Sequence, residues 1–263
     1  MIKLQDQCGR PIALQSVPKR IISLVPSLTE LLLDLGFYDQ LVGITKFCVH
    51  PPNLKAEKTV VGGTKTVNVA RIKYLNPDFI LANKEENTAE LVTELEKFCP
   101  VYVSDIETLD DNIKLIVQLG ALLDCADKAQ EIVKEIEQAA GNFALFLSNF
   151  PSKTAAYFIW KKPYMVAGGN TFINHLMQLC HFENCFSKIK RYPEINLQTN
   201  TISPEIILLS SEPFPFKEAD AHEIASLFPK SKVLIVDGEM FSWYGTRPLK
   251  AFTYFKKLRL ELT

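Results

Sequence analysis

Two stretches of this chain carry one plan, and that repetition narrows the available folds more than any composition figure. VARIKYLNPDFILAN holds a helix stopped before Pro77 and a strand through Phe79, Ile80 and Leu81; NTISPEIILLS repeats the proline–acid–strand half at Pro204, Glu205, Ile206, Ile207 and Leu208. The prolines stand 204 − 77 = 127 residues apart. VYVSD ends a strand at Asp105 and VLIVD ends one at Asp237, 237 − 105 = 132 residues later, and a loop and helix follow each. One strand–loop–helix unit is common. Two at matched spacing predict two lobes of similar plan. Short apolar strands at Ile21–Val25, Leu41–Ile44, Thr59–Val61, Phe79–Ala82 and Val101–Val103, with helical periodicity between several of them, favour a mostly parallel sheet covered on both faces. In RIISLVPSLTELLLDLG, Ser27 and Glu30 have capping-box spacing and Gly36 supplies a helix stop.

Between the repeats, residues 125–150 place Ile132, Val133, Ile136, Ala139, Ala140, Phe143, Leu147 and Phe150 at i, i+3, i+4 spacing, interrupted only by Gly141. A flexible connector is rich in Gly and Ser or in Pro. This one reads as a single long helix bracing two domains. The fold expected is therefore α/β, with two Rossmann-like lobes bridged by one helix: an N-terminal lobe over 1–122, a backbone helix over 123–150 and a C-terminal lobe over 151–263.

Charge and composition exclude several classes. The 263 residues carry 29 Lys and Arg against 30 Asp and Glu, a net charge of −1, which argues against a nucleic-acid footprint or an anionic membrane as the main partner. No apolar run approaches the roughly 20 residues of a membrane span. MIKLQDQCGRPIALQ lacks the apolar stretch of a secretory signal, so either a signal has been trimmed or the protein stays in the cytoplasm. The six cysteines form no C-x-x-C pair, and Cys180 and Cys185 frame only HFEN, so isolated buried thiols are expected rather than structural zinc. G-x-S-x-G, H-E-x-x-H, G-x-G-x-x-G and Walker A motifs are absent, and GGNT is too short for a phosphate loop. An enzyme would have to use Asp105 and Asp237 as an acid–base pair. Helix capping is the commoner duty of a strand-end acid.

DGEMFSWYGTRP, residues 237–248, sets Met240, Phe241, Trp243 and Tyr244 between two glycines and holds too many breakers for a regular helix or strand. Its aromatics are either folded under into the core or left at a mouth to hold something flat.

Taken in order, PKRIISLVPSLTELLLDLG, LVGITKFCVHPP, VVGGTKTVNVARIKYLNPDFILA, GGNTFINHL, SEPFPF and DGEMFSWYGTRP resemble the helical-backbone substrate-binding proteins of ABC importers. Cobalamin-binding proteins are the nearest members, with siderophore, haem and metal receptors as relatives. The resemblance runs from about residue 4 to 258. It implies a ligand cleft between two lobes, a cobalamin-type corrinoid or other large metal chelate as ligand, no intrinsic cofactor, no catalysis, an ABC permease as partner, a monomer, and a periplasmic location. A cytoplasmic corrinoid or haem carrier or sensor is the alternative.

By the crevice rule for α/β sheets, ligand contacts fall on loops at strand C-termini. Trp243 and Tyr244 are then candidates to lie against a macrocycle, with Arg247 on an amide or carboxylate rim. Gly245 disfavours a buried helical alternative for them, although Arg247 could equally cap a carbonyl or pair with Asp237. Phe47 and His50 precede two prolines on an extended rim; His50 is either a flat contact or an imidazole reaching a metal. The resemblance places Tyr164 in the cleft. Trp160, alternating with Phe158, divides between core and site, and Lys65 is a polar candidate. The family's docking glutamates fall here at Ala70 and Gln198, with Glu57, Glu85, Glu194 and Glu205 only nearby.

Overall fold

A computed structural model describes residues 2–197 and 202–262, so Gln198 lies outside the described residues. The chain divides into two compact units. One comprises Met1–Ile106, Asp110–Ile136 and Tyr244–Arg247, and the other Glu107–Leu109, Glu137–Trp243 and Pro248–Thr263.

In the first unit a hairpin, β1 (Ile2–Gln5) and β2 (Pro11–Leu14), precedes β3 (Ile21–Ser23), α1 (Pro26–Asp34), β4 (Leu41–Thr45), α2 (Leu54–Glu57), β5 (Thr59–Gly62), α3 (Val69–Tyr74), β6 (Phe79–Asn83), α4 (Ala89–Glu96), β7 (Val101–Ser104) and α5 (Leu109–Leu122). Every strand pairing in its five-stranded sheet, ordered β5-β4-β3-β6-β7, is parallel. Parallel strands are buried on both faces and read as unbroken apolar runs. Phe79–Asn83 accordingly has no exposed residue. Strand order turns at the β3/β6 junction, where chain direction leaves the ends of both strands open to one side.

α6 (Ala126–Leu147) occupies the predicted helical stretch and buries Ile132, Val133, Ile136, Phe143 and Leu147. The division between the units falls inside it, at Ile136 and Glu137, rather than at its ends.

The second unit continues with β8 (Lys153–Trp160), β9 (Tyr164–Val166), α7 (Phe172–Leu179), β10 (Phe182–Asn184), β11 (Glu194–Ile195), β12 (Ile206–Ser210), α8 (Glu218–Leu227), β13 (Lys232–Val236), α9 (Gly238–Ser242) and α10 (Arg247–Glu261). Its sheet, ordered β11-β9-β8-β12-β13 with β10 also on β8, is parallel across β8, β12 and β13 and antiparallel towards β9 and β11.

The repeat seen in sequence has a physical counterpart. Asp78, after Pro77, accepts the backbone N–H groups of Lys19 and Arg20 at 2.8 and 2.9 Å, just ahead of β3. Glu205, after Pro204, accepts the N–H of Thr154 at 2.9 Å, at the start of β8. In each unit the acid of the proline–acid pair fastens the entry of the neighbouring parallel strand.

Two local expectations are corrected. α1 starts at Pro26 with Val25 as an N-cap that makes no side-chain bond, so Ser27 sits inside the helix and no capping box forms. Proline at the first turn already removes one orphan donor. The 237–248 stretch is irregular only in part: α9 covers Gly238–Ser242 and α10 starts at Arg247, while Trp243 and Tyr244 lie in the non-helical link between them, which turns at Gly245 with φ +76°.

Candidate functional site

In the first unit, the ends of β4, β5 and β6 set out one group of predicted residues. β4 closes on Thr45, and Lys46 N extends the pairing to Gly62 O at 2.7 Å. The buried Cys48 thiol lies 3.2 Å from the Thr29 hydroxyl and 3.4 Å from that of Thr45, which anchors the turn; burial raises its pKa. Phe47, one residue earlier, is turned outward and 48% exposed. A Cβ on Gly63 would stand 3.3 Å from the Phe47 ring, so glycine there leaves the ring its seat. The Lys46 ammonium lies 5.0 Å from the ring centroid. Lys65 is exposed and donates to the backbone carbonyl of Glu85 at 2.9 Å.

Asparagines wire these loops together. Asn87 Nδ2 donates to Thr64 O at 2.7 Å, its Oδ1 accepts from Asn83 N at 2.9 Å, and Asn83 Oδ1 accepts from Glu85 N at 2.9 Å. His50 is half-buried ahead of a cis bond to Pro51. Among the described residues, no group of three or more His, Cys, Asp or Glu side chains could hold a metal ion.

In the second unit, Trp160 ends β8, 39% exposed, with its ring edge-on to Phe214 at 5.6 Å. Tyr164 opens β9, packs edge-on against Phe158 and donates its hydroxyl to Glu223 at 2.8 Å. Burial and that carboxylate push its phenol up to about 12. Lys161 bridges Asp220 at 2.6 Å and Glu223 at 2.7 Å, and both carboxyls are held below their ordinary values by its ammonium. Gly168 and Gly169 serve a close backbone approach: a Cβ would meet Ile189 O at 2.1 Å and Ser187 O at 2.2 Å respectively.

The most favoured sequence candidates are interior, which corrects their reading as open ligand contacts. Trp243 is 8% exposed, and its indole N–H donates to Glu212 at 2.8 Å. Tyr244 is 6% exposed and stands 3.3 Å from the Ser104 hydroxyl. Arg247, buried, pairs with Glu30 at 2.9 Å, not with Asp237. Gly245 breaks the helix as expected, yet its left-handed turn accompanies burial of the segment and does not prevent it. Its N–H and C=O bond reciprocally to Asn112 at 2.6 and 2.9 Å, and its Cα faces Leu31 and Ser27. Asp237 caps α9 by accepting Glu239 N at 3.0 Å, and Asp105 pairs with Lys84 at 2.5 Å, so neither is arranged as an acid–base pair.

Lys46 was missed, because a lysine just past a strand carries no signature of its own; the Lys-Phe step at the strand end was the available signal. Two cavities, of 480 and 660 Å³, lined by residues such as Ile12, Phe98 and Cys99 in one case and Phe150, His181 and Phe182 in the other, contain none of the predicted site residues.

Comparison with known proteins adds to this geometry. A family model described as "Periplasmic binding protein" matches residues 21–225. The vitamin B12-binding protein of Pectobacterium carotovorum subsp. carotovorum is 26% identical over 244 residues, covering 91% of this chain and 87% of its own. In structure, the chain is similar to the periplasmic vitamin B12-binding protein BtuF of Vibrio cholerae, with a TM-score of 0.78, 21% identity and coverage of 93% and 98% of the two chains. The periplasmic heme-binding protein HutB of Vibrio cholerae gives a TM-score of 0.77 at 18% identity, covering 91% of this chain and 98% of its own. At these identities the structural matches speak for the fold.

Proposed function

The chain belongs to the periplasmic binding protein family, and on that premise we propose that it captures a large, flat metal chelate of the cobalamin or haem kind for delivery to the permease of an ABC importer. Membership makes it a binding protein and not an enzyme. The observation that carries the choice of ligand class is the 91% coverage by a relative named for vitamin B12 binding. The exposed Phe47 at the end of a parallel sheet supports it, since an outward aromatic held on a fixed loop offers a flat, apolar contact at little entropic cost. Trp160, at the end of β8, and Tyr164, at the start of β9, are the matching candidates in the second unit, with His50 and Lys65 as polar candidates on the same two loops of the first unit as Phe47 and Gly63.

Export to the periplasm or the outer membrane face follows from the same role. No helix among the described residues is long and apolar enough to cross a membrane. Ala70, at the register of one docking glutamate, is exposed on α3, where Arg71 and Lys73 flank it.

The test is titration of the purified chain with cyanocobalamin, haemin and a ferric siderophore, followed by absorbance and native mass spectrometry. One chelate should form a one-to-one complex and be recovered unaltered. No complex with any of them at micromolar concentration, or a chemically changed product, would sink the reading.

A further inference from the structure

Lys46 and Lys65 are both exposed, Lys46 with its ammonium 5.0 Å from the outward Phe47 ring and Lys65 two residues after Gly63, which lies against that ring, and neither forms a salt bridge to a carboxylate among the described residues. Glu85, on the next loop, meets Lys65 with its backbone carbonyl at 2.9 Å. The backbone N–H groups of Glu85 and Glu86 turn onto Asn83 Oδ1. The Lys65 ammonium is thereby held in place by a neutral group, and two of its three N–H donors remain for another acceptor. The second unit does the opposite. Its cation beside an aromatic, Lys161, is enclosed by Asp220 and Glu223, with Tyr164 closing on the same glutamate.

A neutral, amide-rimmed ligand gains little from two uncompensated ammonium groups. A ligand with carboxylates at its rim would form charge-assisted hydrogen bonds there while its ring plane met the aromatic.

We propose that Lys46 and Lys65 are specificity-determining residues that select a planar chelate carrying anionic groups, carboxylates above all, on the edge that meets the first unit. The inference rests on the reading of the chain as a chelate binder. It goes further by ranking charged-rim macrocycles above neutral-rim corrinoids.

Haemin and haemin dimethyl ester share a macrocycle and metal and differ in the two edge carboxylates, so the pair isolates the claim. The expected result is that haemin binds at least about tenfold tighter than the diester, since one charge-assisted bond is worth roughly that factor. Raised salt should narrow the gap. In the Lys46→Met, Lys65→Met double variant, haemin should fall to the level of the diester, whereas the Lys46→Arg, Lys65→Arg variant should keep the preference. Equal binding of haemin and diester by the unaltered chain, or a preference that survives the double methionine variant, overturns the inference while leaving a chelate binder standing. If haemin, the diester, cyanocobalamin and the ferric siderophore all fail to bind, the chelate reading fails and takes this inference with it.

Discussion

KFCVHPP and DGEMFSWYGTRP both follow the ends of parallel strands and both mix aromatics with chain breakers, yet the first turns its aromatic outward and the second buries its own. Phe47 in the first is 48% exposed, while Phe241, Trp243 and Tyr244 in the second are at most 8% exposed. The difference lies in the partners. Glu212 takes the indole N–H, Ser104 meets the phenol, Glu30 pairs with the guanidinium charge and Asn112 satisfies the backbone of Gly245, so the indole, phenol, guanidinium and turn of the later segment each have a partner inside the protein. A buried donor left without a partner is costly, and one that finds a partner lets its aromatic body be buried at a gain. The Phe47 ring has a lysine beside it and a glycine beneath, and it carries no polar handle that would need a partner inside. Breakers shape the path of a chain; available partners decide whether it goes inside.

Breaking the later segment should be expensive. Arg247→Met removes one half of a buried ion pair and leaves Glu30 enclosed, which costs about 3–5 kcal/mol. Urea unfolding followed by circular dichroism measures it. A loss under about 1 kcal/mol, as at an ordinary surface site, would mean that the segment is not anchored by this pair.

Gly245→Ala is the next largest. The residue holds φ +76°, and a methyl there would stand 3.0 Å from Leu31 Cβ and 3.1 Å from Ser27 O. A left-handed alanine costs about 1–2 kcal/mol before that crowding is added. A fall in the unfolding free energy of about 1–3 kcal/mol is therefore expected. An unchanged midpoint would contradict the left-handed turn.

Phe47→Ala sharpens the contrast from the other side. Removing an exposed ring should alter stability by no more than about 0.5 kcal/mol, yet weaken chelate binding by about 1–3 kcal/mol, the range for loss of an aromatic anchor. Should stability fall by as much as in Arg247→Met, Phe47 is a core residue and the two segments are alike after all.

The plan of the fold was legible because it is periodic. Pro77 with Asp78 and Pro204 with Glu205 announce strand entries through residues adjacent in sequence, and the apolar stripe from Ile132 to Leu147 declares its helix unaided. The site was legible only in part. Burial of Trp243, Tyr244 and Arg247 depends on Glu212, Ser104 and Glu30, which lie 31, 140 and 217 residues away in the chain (243 − 212, 244 − 104, 247 − 30), and no local pattern links them. Lys46 and Lys65 carry meaning only because the Asn83–Asn87–Thr64 wiring brings their loops together. The capping box at Ser27 and Glu30 failed for a local reason: Pro26 opens the helix one residue early, so Ser27 is already inside it, and Glu30 pairs instead with Arg247.

The smallest expected effect concerns acidity, and only the buried segment should show it. Burial raises the pKa of Glu212 above its ordinary value, and the nearby carboxylates of Glu239 and Asp237 add to this, against the lowering effect of the bonds from Ser242 and Trp243. The folded protein therefore holds this proton more tightly than the unfolded chain. The resulting stabilisation is complete below the ordinary glutamate value and is lost as pH rises through the raised folded value. Glu212→Gln keeps an oxygen to accept from the Trp243 indole and the Ser242 hydroxyl, and it cannot ionise. Relative to the unaltered chain, its unfolding free energy should climb as pH rises through that window and level off above it. Trp160→Phe leaves Trp243 as the single indole of the chain's two tryptophans, so its fluorescence reports on the bond directly during urea unfolding at successive pH values. A difference between variant and parent that does not change with pH would show that Glu212 is not held as a raised, buried acid. The same series on Phe47→Tyr, an exposed position, should run parallel to its parent throughout.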